Sequence, residues 1–178
     1  MKTVLRMPLL FIIFSAFLVS SSSGQIGTVL KTIPTISGHQ PSGLTWDGTY
    51  LWMIDYTEDQ ICKINPETGE IITTIPAPGV DCTGLAWDGT YLWCSDNATD
   101  RLYKITPSGT IINWFPVTST PRGCEFFNGN IWYIDSVNLQ IYKLNPTTGV
   151  FLDSIPAPAG SCRGLAYDGK YLWCTDRS

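Results

Sequence analysis

From residue 42 onward, short runs in which apolar and polar residues alternate are separated by turn residues, and no long stretch carries a helical period. Ser42-Gly43-Leu44-Thr45-Trp46-Asp47-Gly48-Thr49-Tyr50-Leu51-Trp52 returns as Thr83–Trp93, Arg122–Trp132 and Arg163–Trp173, a repeat of about forty residues. A second block follows each complete copy, Ile61–Pro66, Leu102–Pro107 and Ile141–Pro146, and a third opens with Gly69, Gly109 and Gly149. Each copy therefore predicts four short strands. Asp47-Gly48, Asp88-Gly89 and Asp168-Gly169 turn the first hairpin, and Asn128-Gly129 does so one residue later in the third copy. Asn-Pro-x-Thr-Gly at 65–69 and 145–149 turns the third strand into the fourth.

Four antiparallel strands repeated at this period predict an all-β fold, a β-propeller of four-stranded blades, about four blade equivalents being present. The Trp that recurs at 52, 93, 132 and 173 is expected to pack between blades. Residues 27–34 align on 69–76, so the repeat region opens with a lone fourth strand, while the last copy reaches only its second strand. The expectation is a ring left open at its C-terminal side, with further strands or repeats beyond Ser178.

Residues 1–24 read as a secretory signal: Lys2 and Arg6 precede an apolar run from Met7 to Val19 that ends in Ser20–Ser23 and Gly24. That run is too short to cross a bilayer. The expected organisation is a signal peptide, 1–24, and a propeller, 25–178, exported to the medium, periplasm or cell surface, with no membrane span after signal removal. A complete ring would be monomeric. The 178 residues carry eleven Lys and Arg against fifteen Asp and Glu, a net charge of −4, with the basic residues scattered. This argues against nucleic acid as a partner.

Cys82 with Cys94 and Cys162 with Cys174 occupy two equivalent positions in the second and fourth copies, where the others have Pro41 with Met53 and Pro121 with Tyr133. Positions that change together are expected to touch, and in an exported chain they predict two cross-strand disulfides, the alternative being four buried thiols. Cys62 and Cys124 have no counterparts. With no close Cys-x-x-Cys and His39 as the single histidine, no metal site and no cofactor are expected.

Asp55, Asp96, Asp135 and Asp176 close the second strand of every copy and are expected to bond the following turn. Residues that break the repeat are more informative about a ligand. Glu125 stands where the other copies have Thr45, Ala86 and Ala166, and Arg122 and Arg163 stand where they have Ser42 and Thr83. With Asp81 they are the candidates for a polar pocket at the channel mouth; alternatively Glu125 and Arg122 neutralise each other in the channel wall. Asn97-Ala98-Thr99 matches a glycosylation sequon on an exposed connection.

Gly84-Leu85-Ala86-Trp87-Asp88-Gly89-Thr90-Tyr91-Leu92-Trp93, with Tyr103-Lys104-Ile105-Thr106-Pro107, resembles exported NHL/YVTN-type and glutamine-cyclotransferase-like propellers, over residues 27–178. The resemblance implies the fold, and two classes of function. The first is a non-catalytic exported module that binds a protein or glycan, favoured by the near-identity of the second and fourth copies. The second is an enzyme similar to glutaminyl-peptide cyclotransferases, which cyclise an N-terminal glutamine with loss of ammonia. Gln40-Pro41-Ser42-Gly43-Leu44 partly matches that family's Phe-Thr-Gln-Gly-Leu string. A lyase or lactonase of the virginiamycin B lyase or gluconolactonase type is a further alternative, with catalytic residues beyond this chain.

Overall fold

Each turn signal marks a hairpin. The computed structural model describes residues 31–34, 39–118, 120–158 and 160–177, and these form strands without a helix. Blade 1 comprises β1 (Pro41–Trp46), β2 (Leu51–Asp55), β3 (Gln60–Ile64) and β4 (Ile71–Pro76). Blade 2 comprises β5 (Cys82–Trp87), β6 (Leu92–Asp96), β7 (Arg101–Ile105) and β8 (Ile111–Pro116). Blade 3 comprises β9 (Pro121–Phe127), β10 (Asn130–Asp135), β11 (Gln140–Leu144) and β12 (Phe151–Pro156). Blade 4 holds β13 (Cys162–Tyr167) and β14 (Leu172–Asp176). Every sheet is an antiparallel meander in chain order, three of four strands and one of two. The innermost strands β1, β5, β9 and β13 lie side by side, and the chain is an incomplete β-propeller.

The expected secretory segment, residues 1–24, lies outside the described residues. Of the expected opening strand, Lys31–Pro34 are described, without regular strand pairing. Ile33 is buried with Leu51, Met53, Cys62 and Ile64, over Gly69. Ile75 lies over Gly109 and Phe115 over Gly149 in the same manner. The segment thus sits against blade 1 as an outer strand sits against the blade that follows it.

The repeated tryptophans hold matching places. Trp52 pairs with Lys63 and Thr45, Trp93 with Lys104 and Ala86, and Trp132 with Lys143 and Glu125. Trp52 packs among blade 2 residues Cys82 and Leu85, Trp93 among blade 3 residues Cys124 and Ile131, and Trp132 against Cys162 and Leu165 of blade 4. Burial follows from having a next blade: Trp93 is fully buried, whereas Trp173 is 45% exposed.

What locks the tryptophans of blades 1, 2 and 4 is the aspartate of their own hairpin. Asp88 Oδ1 accepts the amides of Thr90 and Tyr91 at 2.9 and 2.7 Å, while Oδ2 accepts the Trp93 indole N–H at 2.8 Å. Lys104 Nζ lies 3.2 Å from the same carboxylate and 4.4 Å from the centre of the Tyr91 ring. Asp47 with Trp52 and Asp168 with Trp173 repeat the indole bond at 2.8 Å. Gly89, with φ at 95°, supplies the left-handed residue of the turn.

Burial pushes the Asp88 carboxyl up, but the Trp93 indole, the two amides and Lys104 outweigh it and hold it below its ordinary value of 3.8. Asp88→Ala is expected to cost about 2 kcal/mol at neutral pH, from charge-assisted bonds lost and an indole N–H left unpaired. The folded carboxylate titrates below the unfolded one. Its stabilisation is therefore complete above the unfolded value and is lost as pH falls through the folded one. Urea melts at pH 7 and pH 3 should show the penalty shrinking at the lower pH, and an unchanged penalty would count against the carboxylate.

Blade 3 departs from this design. Phe127 replaces the aspartate, and the hairpin tightens to Asn128-Gly129, both left-handed with φ at 49° and 73°, as a two-residue turn requires. Trp132 Nε1 is consequently buried without a hydrogen-bond partner. Phe127 compensates by stacking on Trp132, centroids 5.0 Å apart, and on Tyr167 of blade 4 at 4.2 Å.

Candidate functional site

Two repeating contacts build the ends of the blades where the inner strands begin. The amides of Tyr56, Asn97, Ser136 and Arg177, each just past the second strand, donate to the carbonyls of Gln40, Asp81, Thr120 and Ser161 at 2.9, 3.0, 3.4 and 3.3 Å. The second-strand aspartates support these corners as expected. Asp55 Oδ1 accepts the Thr57 amide at 3.1 Å, Asp96 Oδ1 that of Ala98 at 2.9 Å, and Asp135 Oδ1 that of Val137 at 2.9 Å. His39 Nδ1 hydrogen-bonds Asp55 Oδ2, which accounts for the single histidine within the first corner.

Between blades, Ser42 Oγ donates to the Cys82 carbonyl and Thr83 Oγ1 to the Pro121 carbonyl, both at 3.3 Å. The equivalent residues in the next two blades are Arg122 and Arg163. Here the hydroxyl-to-carbonyl stitch is replaced by long cationic side chains.

The inner strands enclose a cavity of about 430 Å³, lined by residues that include Ser42, Thr83, Arg122, Arg163, Trp173 and Arg177. Three of the eleven basic residues of an acidic chain thus meet at one opening. Burial pushes the Arg122 guanidinium below its ordinary value, and the like charge of Arg163 adds to this, while Asp81 and Tyr56 oppose it. Arg122 Nε is buried with no hydrogen-bond partner. That leaves a directional donor unused beside a second cation, a costly arrangement for a group whose planar fork suits oxyanions.

The four sequence-predicted residues divide. Arg122 and Arg163 line the cavity. Asp81 does not line it but stands by Arg122, accepting from Asn97 Nδ2 at 2.5 Å. It also accepts a hydrogen bond from Tyr56, and its charge, first of all, holds the Tyr56 hydroxyl above its ordinary value.

Glu125 is elsewhere. It is not among the lining residues, and it pairs with Trp132 as Ala86 of blade 2 pairs with Trp93, on the face of its blade that is turned to the next one, blade 4. Burial pushes its carboxyl up to about 7, against a single bond from the Phe126 amide. The expected neutralisation of Glu125 by Arg122 is therefore not found, because the charges acting on Arg122 are those of Arg163, Asp81 and Tyr56. Arg122 lies in the bulge of β9 between Pro121 and Cys124, whereas Glu125 follows it in regular register opposite Trp132.

Tyr56 and Arg177 were not singled out in the sequence, and Asn97 was named only for its glycosylation sequon. With Ser136 they hold one repeat position, filled by Tyr, Asn, Ser and Arg in turn, and that divergence between copies was the available signal. Among the described residues no three of His, Cys, Asp and Glu come together in an arrangement that could hold a metal ion.

All six cysteines are free thiols. The predicted pairs are neighbours, but not directly opposed: Cys82 faces Asp96 and Cys94 faces Leu85, a bulge between Cys82 and Gly84 intervening. Cys162 and Cys174 repeat this register.

No protein-family model matches the sequence, and no curated protein matches it. Solved structures do. Over 76% of this chain and 61% of its own, glutaminyl cyclase of Myxococcus xanthus superposes with a TM-score of 0.68 at 12% identity. A catalytically inactive virginiamycin B lyase of Staphylococcus aureus with quinupristin gives 0.59 at 21% identity, over 76% of this chain and 48% of that one. The computationally designed Ika4 protein gives 0.57 at 11% identity, over 83% and 92%. The chain thus spans less than two thirds of the length of the cyclase and the lyase. These likenesses are of fold.

Proposed function

We propose that this chain is part of a binding propeller whose channel mouth takes the carboxylate of an acidic ligand, a protein or glycan in the exported setting expected from the sequence. The observation that carries this reading is the unpartnered Arg122 Nε, buried beside Arg163 at the rim of the 430 Å³ cavity. A carboxylate there would accept from Nε and a terminal nitrogen together, satisfy the unpaired donor and screen two like charges. Asp81 and Asn97 hold one side of the rim, so the ligand's anionic group faces Arg122 and Arg163 from the other.

Calorimetric titration of the chain with a carboxylated oligosaccharide, an acidic peptide and their neutral esters tests the reading. The carboxylated forms are expected to bind, and Arg122→Gln to weaken them at least tenfold, roughly the value of one charged hydrogen bond. Equal binding of the esters would end the proposal. Ammonia release from a glutaminyl peptide would favour the enzymatic alternative over binding alone.

A further inference from the structure

Three repeat positions that diverge between copies meet around Asp81. The residue two before Ser42, Thr83, Arg122 and Arg163 is Gln40, Asp81, Thr120 and Ser161 in turn, so Asp81 is the one carboxylate of its set. Tyr56 is the one aromatic among Tyr56, Asn97, Ser136 and Arg177, and Arg122 is the first cation after Ser42 and Thr83. The fold gathers these three with Asn97 across the seams between blades 1, 2 and 3. Asp81 accepts from the Tyr56 hydroxyl and from Asn97 Nδ2, and its charge acts on Arg122. Its backbone is fixed at both ends, because its amide donates to Asp96 Oδ1 at 3.2 Å and its carbonyl accepts the Asn97 amide at 3.0 Å. Tyr56 is exposed beside it.

Two polar atoms of this cluster are buried without a hydrogen-bond partner, the acceptor Asn97 Oδ1 and the donor Arg122 Nε. A ligand that satisfies both must carry a donor close to an acceptor. A carboxylate alone supplies only acceptors, whereas a hydroxyl beside a carboxylate supplies both. Asp81 keeps lone pairs beyond its two side-chain bonds, and these suit further hydroxyls. The exposed Tyr56 ring adds an apolar surface next to those acceptors, which matches the C–H face of a pyranose.

Building on the carboxylate reading of the channel mouth, we propose that Tyr56, Asp81, Asn97 and Arg122 form a subsite for a hexuronic acid. Arg122 holds the sugar carboxylate, Asn97 Oδ1 and Asp81 accept ring hydroxyls, and the Tyr56 ring covers the C–H face. This selects the acidic glycan over the acidic peptide. A glutamate side chain would bring a carboxylate to Arg122 but no hydroxyl to Asp81, so two anionic groups would face each other with nothing bonded between them.

The test is calorimetric titration of the full chain with trigalacturonate and with an acetylated, amidated glutamate tripeptide, two ligands with the same number of carboxylates. Trigalacturonate is expected to bind at least tenfold more tightly, roughly the value of one hydrogen bond to a charged group. Asp81→Asn keeps the shape of the side chain and removes its charge. It should weaken trigalacturonate about tenfold, since an amide offers fewer acceptor sites. The peptide, relieved of a carboxylate beside Arg122, should bind more tightly to the same variant. Tyr56→Ala should weaken trigalacturonate about fivefold and leave the peptide unchanged. Tighter binding of both ligands to Asp81→Asn would make Asp81 a mere electrostatic neighbour and overturn the subsite. Equal affinities for sugar and peptide would overturn it too, while leaving the carboxylate reading standing. Binding of neither ligand would end that reading and the subsite with it.

Discussion

Gly84→Ala is expected to destabilise the chain by about 3 kcal/mol, as severe overpacking does, although it adds only a methyl group. Gly84 lies on β5 where the inner strand of the next blade crosses closest. A Cβ there would clash with the Arg122 carbonyl and the Ser95 hydroxyl and lie 2.7 Å from the Cys124 amide nitrogen. Two of these obstacles are backbone, so β9 would have to move away from the axis, separating blades 2 and 3. Gly43 faces the Leu85 amide and Gly123 the Leu165 amide, each at 2.9 Å, so the same crowding recurs between successive blades. Gly164→Ala is the internal control. It meets only the Thr175 side chain, at 2.9 Å, and should cost about 1 kcal/mol. Urea midpoints with unchanged slopes would report the difference, and equal costs at the two positions would refute close strand approach as the reason for the repeated glycine.

The second large effect is a pH dependence removed by Glu125→Gln. The folded carboxyl titrates near 7 against an ordinary 4.5, so between those values the native chain keeps a proton that the unfolded chain has released. Stability therefore falls as pH rises from about 4.5 to about 7 and levels off above. A shift of this size corresponds to about 3 kcal/mol. The glutamine variant carries no titrating group. It should match the parent near pH 4 and exceed it by about 3 kcal/mol near pH 8, where the parent buries a charge. Parallel stability profiles for the two proteins would show that Glu125 is solvated or paired.

Part of the cavity lining was legible as departures from the repeat. Arg122 and Arg163 break a Ser/Thr position, and both line the cavity. Glu125 breaks an Ala/Thr position in the same strand, yet it lies away from that cavity in an interblade layer. Repeat comparison identifies which position is unusual; it does not identify which surface of a twisted strand the position faces. Arg177 escaped notice because it follows the last strand, where its equivalents are Tyr56, Asn97 and Ser136. The glycine of each inner strand recurs in every copy, but nothing in the sequence assigns it a role. Its function is room for a neighbour about forty residues away, which no local rule contains.

What this chain's sequence determined by itself is everything that depends on near neighbours: the strands, their hairpins, the blade as a unit, and the Asp-Gly or Asn-Gly pair that makes each first turn. These follow from alternation, from Asp-Gly and Asn-Gly chemistry, and from the repeat period. Tertiary structure alone decided that the hairpin aspartates also bind the tryptophan indoles, that Trp132 lost its acceptor when Phe127 replaced one, and that three arginines meet at one opening. Those outcomes depend on how far each blade rotates and how closely the next approaches, and such distances are set by packing between residues remote in the chain.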